Sequence, residues 1–225
     1  MKNVLVIAAH SDDEALGCGG TIAAHVARGD AVHTVFLTDG VGARGNAADS
    51  DASQRRRDAC SAAGKALGIA STQHFDFPDN RLDTVALIEV TQALESVIAR
   101  LSPQIIYTHH SNDLNVDHRI CHQAVLTASR PQPLHPVRSI YGFEVASSTE
   151  WAFSAPAFQP RHFVDISAHL QTKCDALACY EEEMRPAPHA RSVEGLSALA
   201  HWRGHCVGCT AAEAFEIIRQ IVKMS

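Results

Sequence analysis

The chain has 225 residues, a formal net charge of −6 at pH 7, and 46% hydrophobic and 20% charged residues. This composition predicts one globular domain, 1–225, and excludes a disordered or fibrous chain. No stretch approaches the roughly 18 apolar residues of a membrane span, and the N-terminus turns acidic too soon for a signal peptide, so we expect a cytoplasmic protein. The acidic balance disfavours nucleic acid as a partner but permits a small anionic substrate. A homo-oligomer is compatible with this sequence.

The first half of the chain alternates strand and helix patterns. The patterns predict strands at residues 4–9, 31–37, 73–77 and 104–108, helices at 13–28, 53–67 and 82–101, a turn at 39–40 and a polar loop at 44–53. Such alternation implies βαβ units, and therefore an α/β, Rossmann-like, doubly wound sandwich with a mostly parallel sheet. We assign residues 1–130 to this core and residues 131–225 to a C-terminal portion that completes the site.

The last third is less regular. We predict strands at 139–145 and 162–165 and a helix at 167–182. A final helix is expected at 211–224, where Thr210 and Glu213 form a capping box. Its predicted apolar face comprises Ala214, Ile217, Ile218, Ile221 and Val222.

Polar residues follow the ends of three predicted strands, where ligands of such folds bind. The three segments are 10–14, 39–44 and 109–118. In the first, His10-Ser11-Asp12-Asp13-Glu14 places several ionisable groups directly after a buried strand, which is costly without a compensating charge. A divalent cation would supply that charge, since imidazole and carboxylate are normal zinc ligands. A helix start would explain the acidic residues of this segment but not His10.

A further protein ligand should come from another strand end. Segment 109–118 follows the 104–108 strand, and Asp117 as an N-cap would put His118 at the start of a helix. His118 and His122 are four residues apart and can form a two-ligand clip. The alternative is that His122 faces solvent or is satisfied in the core.

At this point the sequence resembles a known family. AHSDDE at residues 9–14 is similar to the AH-P-DDE signature of the LmbE-like, PIG-L-type zinc-dependent N-deacetylases, which include the N-acetylglucosaminyl-phosphatidylinositol de-N-acetylases. Further matches follow in order: LTDG at 37–40, Arg56 with Ala63 and Leu67-Gly68, DLNVDHR at 113–119, and the closing segment with Gly204, Gly208 and AEAF at 212–215.

The resemblance implies a hydrolase that removes an N-acetyl group from an N-acetylglucosamine-type amino sugar or its conjugate. It implies one Zn²⁺ per chain bound by His10, Asp13 and His118, although other divalent ions fit these ligands. Asp12 would be the general base for the attacking water, which agrees with a carboxylate left over beside three ligands. The resemblance and its position near the strand ends make Arg56 a candidate for substrate binding, and we predict that Asp113 and Asn115 also bind the substrate.

The sequence departs from the family pattern at three positions, one of which is Ala59, three residues after Arg56, where the family often has Glu. Ser11 replaces the signature proline, which binds nothing. Asn115 stands where some members carry a histidine that acts as general acid or oxyanion donor. His109 or His110 can replace that group, with Asp113 or Asp117 orienting the imidazole.

Other functions remain open at this stage. The amide substrate can instead be a thiol conjugate, and a non-catalytic metal-binding module would not need Asp12. A nucleotide-dependent Rossmann enzyme would carry G-x-G-x-x-G after its first strand, where this chain has carboxylates. Trp151 and Trp202 can stack on a sugar ring or serve in packing. The Cys206/Cys209 pair can form a structural zinc site with Cys174 and Cys179, whose spacing helical burial also explains.

Overall fold

The computed structural model describes residues 1–38, 40, 42, 50–153 and 156–222. Its strands are β1 (Asn3–Ala8), β2 (Ala31–Thr38), β3 (Ser71–Phe77), β4 (Ile105–His109), β5 (Ser139–Phe143), β6 (His162–Asp165) and β7 (Ala212–Gln220). Its α-helices are α1 (Asp13–Ala27), α2 (Ser50–Leu67), α3 (Leu87–Leu101), α4 (Val116–Ala128), α5 (Leu170–Ala178) and α6 (Val193–His205).

The seven strands of the described residues form one sheet in the order β3-β2-β1-β4-β5-β7-β6. Strands β1 to β5 pair in parallel, whereas β7 is antiparallel to both β5 and β6. The predicted α/β class with a mostly parallel sheet is therefore confirmed. Strand order reverses between β1 and β4, and the carboxyl ends of these two strands carry the polar segments 10–14 and 109–118.

Helices cover both faces of the sheet. Along β1, Val4 and Val6 pack in the core formed with α1, α2 and α5, whereas Leu5 and Ile7 pack in the core formed with α3 and α4. All four side chains are fully buried. This burial on both sides explains why the first strand is continuously apolar rather than alternating.

The predicted helix at 211–224 is wrong, because residues 212–220 form β7. Its segment fills the gap between β5 and β6, whose backbone groups supply its hydrogen bonds. A short apolar run fits a buried strand as well as a helix, so tertiary pairing decides between them. The predicted capping box is wrong for the same reason. Glu213 is buried and accepts hydrogen bonds from the backbone of α1.

Smaller differences concern element ends. The predicted helix 82–101 divides into a 3₁₀ helix, Leu82–Thr84, followed by α3, and the predicted helix 167–182 is the shorter α5. Helix α6 was not predicted. The turn at 39–40 and the loop at 44–53 lie mostly outside the described residues, but residues 50–53 are helical. No helix among the described residues is long and apolar enough to cross a membrane.

Candidate metal centre and active site

Three predicted metal ligands come together at the carboxyl edge of the sheet. His10 follows β1, Asp13 opens α1, and His118 lies in the first turn of α4. Asp13 Oδ2 lies 3.2 Å from His10 Nδ1 and 3.3 Å from His118 Nε2. All three residues are buried, and one potential ligand atom from each lies within 4.8 Å of the others. This spacing can accommodate one metal ion.

The donor set fits a divalent cation. Asp13 Oδ1 is buried and has no hydrogen-bond partner among the described residues, and His118 Nε2 has none beyond its 3.3 Å approach to Asp13 Oδ2. Such unpaired buried atoms are costly, and coordination to a cation would satisfy them. Two imidazoles and a carboxylate leave a fourth position of a tetrahedral zinc site for water or substrate.

The buried carboxylates of Asp13 and Asp113 favour a positive charge between the three proposed ligands. Burial opposes protonation of His118, but Asp13 and Asp113 outweigh it and raise the pKa of His118 to about 9. Burial likewise opposes ionisation of Asp13, but the neighbouring imidazoles of His118 and His109 hold the pKa of Asp13 well below its ordinary value. The pKa of His10 is raised as well, so without a metal, protons on His10 and His118 supply the charge that a cation would otherwise bring.

A second group of acidic residues lies on the other side of His10. His10 Nε2 lies 3.2 Å from both Asp79 Oδ1 and Asp117 Oδ2. The carboxylate of Asp117 also accepts the backbone N–H groups of Asn80 and Leu82, at 2.6 and 3.0 Å. His10, Asp79 and Asp117 are also close enough to hold an ion. However, the backbone bonds already occupy both oxygens of Asp117, so this group is better suited to orient His10.

Asp113 occupies the corresponding position behind His118. Its Oδ1 lies 3.1 Å from His118 Nδ1, the ring nitrogen not directed at Asp13. Asp113 is buried and accepts hydrogen bonds from Ser148 Oγ and Thr149 Oγ1. The contacts of Asp113, which was predicted to bind the substrate, are therefore with buried protein groups.

The N-cap of α4 is Asn115, and the prediction of Asp117 for that position is wrong. Asn115 Oδ1 accepts the N–H of Asp117 at 2.8 Å. Asparagine caps as well as aspartate does, and the carboxylate of Asp117 is engaged with the Asn80–Leu82 segment instead. Asn115 Nδ2 also donates to Asn80 Oδ1 at 3.2 Å.

Asp12 lies beside the three ligands with its carboxylate turned towards two arginines. Its Oδ1 is 3.2 Å from Arg56 Nη2, and its Oδ2 is 3.2 Å from Arg191 Nη1. Burial raises the pKa of Asp12 above its ordinary value, although both guanidinium groups oppose that rise. The arrangement offers a buried carboxylate that is not needed as a metal ligand.

Arg56 is fixed by several partners. Its Nε donates to Ser11 Oγ at 3.1 Å, and its Nη1 pairs with Glu183. Ser11, which replaces the signature proline, therefore holds the predicted substrate-binding arginine. Arg191 is fixed similarly, since its Nε donates to Ser147 Oγ at 2.8 Å.

Sequence reasoning missed Arg191, Glu183 and Asp79. Asp79 follows β3, so the rule that ligands gather at strand ends could have indicated it. Arg191 lies in the irregular segment before α6, and Glu183 in an acidic run after α5. No local pattern distinguishes those two residues.

The alternative histidines already have partners in the protein, and His109 lies beside the proposed ligands, with its Nε2 3.5 Å from Asp13 Oδ2. His109 is fully buried, stacks on His118 with ring centroids 3.9 Å apart, and accepts the N–H of Ala9 at Nε2. His110 Nδ1 pairs with Glu216 on β7 at 2.7 Å. His122 Nδ1 donates to the carbonyl of His109 at 2.8 Å and does not join the group formed by His118.

The remaining candidates lie apart from these contacts. Trp151 and Trp202 are 56% and 64% exposed, and the Trp151 ring packs edge-on against Phe153. The two groups of described residues that can hold a metal do not include Cys206 or Cys209.

Comparison with known proteins identifies one family, whose similar proteins include both deacetylases and a hydratase. Residues 5–129 match the family model described as GlcNAc-PI de-N-acetylase. An uncharacterized deacetylase of Escherichia coli is 31% identical over 76% of this chain and 85% of its own length. The diacetylchitobiose deacetylase of Thermococcus kodakarensis is 29% identical over 81% of this chain and 70% of its own. The crystal structure of GalB, a 4-carboxy-2-hydroxymuconate hydratase from Pseudomonas putida, superimposes with a TM-score of 0.80 at 25% identity over 100% of this chain and 99% of that one.

Proposed function

Because the chain belongs to the GlcNAc-PI de-N-acetylase family, we propose that it is a zinc-dependent hydrolase that removes an N-acetyl group from an amino sugar or its conjugate. The family relationship expected from the sequence motifs is confirmed. The relatives include a deacetylase that acts on an acetylated chitobiose, which supports a small acetylated sugar as the substrate class.

One observation carries the proposal. Asp12 is a buried carboxylate next to three convergent ligands, and it is not itself one of them. A module that only binds metal has no use for this extra carboxylate. A hydrolase needs it, because the attacking water must lose a proton as the carbon–oxygen bond forms.

The residues that would hold the ion are His10, His118 and Asp13, and the imidazole nitrogens facing Asp13 are Nδ1 of His10 and Nε2 of His118. A bound zinc ion would supply Lewis-acid polarisation of the acetamide carbonyl and acidify the attacking water. The other nitrogen of each imidazole faces a carboxylate, Asp117 or Asp79 for His10 and Asp113 for His118. These pairs would fix the tautomers that leave the ligand nitrogens unprotonated.

The chain's own residues would then move the proton. Asp12 accepts it from the attacking water and returns it to the departing amine, so the acetyl group leaves as acetate and the sugar as a free amine. Arg56 and Arg191 hold the two oxygens of Asp12 in place, and Arg56 remains our candidate for contact with the sugar. The contacts of Asp113 and Asn115 favour positioning roles, for His118 and for the start of α4.

The test is Asp12→Asn, assayed for acetate and free amine from a panel of N-acetylglucosamine conjugates, with zinc measured on the same samples. We expect zinc retention and a loss of about 10²- to 10⁴-fold in turnover, since the near-isosteric amide cannot accept the proton. Asp76→Asn, an exposed carboxylate change, is the control. Undiminished turnover in Asp12→Asn would exclude Asp12 as the base.

Hydration of an unsaturated carboxylate is the second candidate. Two guanidinium groups beside the proposed base can bind carboxylates bidentately, and a structural relative is a hydratase. The same panel, extended by 2-hydroxymuconate-type acids and followed by loss of ultraviolet absorbance, separates the two activities. Acetate release without loss of absorbance supports the deacetylase, and the reverse result supports the hydratase.

A further inference from the structure

Helix α1 carries the candidate site in its first turn and is interrupted at Cys18, whose φ of −148° and ψ of 23° are not helical. In a regular helix the N–H of Gly20 would donate to the carbonyl of Leu16. Here Gly20 N donates to Glu213 Oε1 at 3.1 Å, and Leu16 O accepts from Lys173 Nζ at 2.8 Å. The two side chains therefore replace the helix hydrogen bond that the interruption removes.

Lys173 and Glu213 also pair with each other. Their side chains are 5% and 4% exposed, and Lys173 Nζ lies 2.5 Å from Glu213 Oε1. Glu213 Oε2 accepts the N–H of Thr21 at 2.7 Å. Lys173 comes from α5 and Glu213 from β7, so the pair joins three elements of the fold. Burying two charges is costly, and an apolar pair of similar size would often give equal stability.

The glycines of this segment allow the surrounding elements to approach. A Cβ atom at Gly20 would lie 2.7 Å from Ile166 Cδ1, closer than side chains pack. In the 17–20 segment, Gly-Cys-Gly-Gly, the helix is therefore interrupted and neighbouring side chains pack directly against its backbone. The acidic turn that precedes it, with Asp13 at its start, can take a direction different from the rest of α1.

We propose that Lys173 and Glu213 are positioning residues that hold α1 interrupted at Cys18 and so set the direction of the turn carrying Asp13. The proposal rests on the proposed function only in that this turn serves a metal centre. Without the pair, Leu16 O and Gly20 N can satisfy each other by closing the helix. Asp13 Oδ2 would then move away from the nitrogens of His10 and His118, now 3.2 and 3.3 Å distant.

The decisive variant is Lys173→Met with Glu213→Leu, which removes both charges and leaves neither unpaired. Its matched control is Arg203→Met with Glu144→Leu. That pair is bidentate and partly buried, with contacts of 2.7 and 2.8 Å, and it bonds no backbone group of α1 among the described contacts. Lys173→Arg keeps a cationic donor and serves as the conservative variant.

Three measurements are made on each protein: Co²⁺ and Zn²⁺ affinity by competition with a chelator, the visible spectrum of the Co²⁺ form, and unfolding in urea. We expect the Lys173/Glu213 double variant to bind both ions at least 10-fold more weakly, with an altered spectrum. The Arg203/Glu144 control should stay within 2-fold of the parent and keep its spectrum. Lys173→Arg should fall between the parent and the double variant.

Parental affinity and spectrum in the folded double variant would overturn the proposal, as would an equal loss in the control. If the double variant does not fold, Glu213→Gln provides the test. Its amide nitrogen would face the Thr21 N–H, so we expect weaker metal binding here too, and parental binding would again overturn the proposal. Since metal affinity is measured without substrate, a failure to find deacetylase activity leaves this test intact.

Discussion

Glu14 accepts the backbone N–H of Asp12 at 3.0 Å and thereby holds Asp12 at a φ of 141°. A positive φ at a residue other than glycine is strained by of order 1–3 kcal/mol. Tyr180 donates its hydroxyl to the other oxygen of Glu14 at 2.6 Å, which fixes the carboxylate. Asp12, the strained residue, is also the proposed general base. Glu14 stabilises its strained backbone conformation.

Replacing Glu14 by alanine should therefore reduce activity through Asp12. We expect Asp12 to relax towards an ordinary backbone conformation and turnover to fall at least about 10-fold, with one metal per chain retained. Tyr180→Phe keeps the hydrogen bond between Glu14 and the Asp12 N–H, so it should lose less activity than Glu14→Ala. It should lower the free energy of unfolding by about 1–2 kcal/mol, because the bond from the Tyr180 hydroxyl is lost. Acetate release, metal content and urea unfolding check these outcomes. Parental turnover in Glu14→Ala would contradict the role of Glu14.

His118→Ala should abolish stoichiometric metal binding, because it removes one of three ligands. His122→Ala should retain one metal per chain, since His122 bonds the carbonyl of His109 and does not join the group of ligands. Elemental analysis after dialysis against a chelator and re-addition of zinc distinguishes the two variants. If His122→Ala loses the metal and His118→Ala keeps it, the ligand assignment is wrong.

Arg191 should contribute to turnover without contributing to metal binding. Arg191→Met frees one oxygen of Asp12, and we expect turnover to fall at least about 10-fold at unchanged zinc content. Arg191→Lys should recover only part of the activity, because one ammonium cannot serve Ser147 and Asp12 in the fixed geometry of a guanidinium. Arg185→Met, which removes an exposed arginine bonded to backbone carbonyls, is the control. Equal losses at both positions would argue against a specific role.

His25 should make the metal-free protein less stable in mild acid. Burial lowers the pKa of His25 below its ordinary value of about 6.5, although Asp30 opposes this. The unfolded chain therefore binds a proton more readily, so this contribution to the free energy of unfolding declines as pH falls below about 6.5, and it levels off below the folded pKa. His25→Gln should remove that component. The free energy of unfolding is measured with urea between pH 5 and 8, in about 1 mM chelator, for the parent protein and for His25→Gln. If the two proteins depend on pH equally, the effect of His25 is excluded.

The sequence alone was sufficient for the parallel half of the fold. The run at 4–9 is buried on both faces of the sheet and continuously apolar, and the runs at 31–37 and 104–108 are buried over most of their length and largely apolar. Glycines and polar residues mark where these elements end. The sequence also indicated the proposed ligands His10, Asp13 and His118, through the resemblance of residues 9–14 and 113–119 to the family motifs, and the folded chain brings these three residues close together.

Only the tertiary structure decided how the remaining segments are used. The 212–220 segment has apolar residues that fit a helix, but β5 and β6 offer it backbone hydrogen bonds on both sides, and it becomes a strand. Asp79 and Arg191 reach His10 and Asp12 from tens of residues away, as Asp113 reaches Ser148 and Thr149, and no local spacing encodes such contacts. Local patterns record which residues are buried and where elements begin. The partners of buried polar groups depend on how the elements pack, because each such group must find a hydrogen bond or an opposite charge in the folded chain.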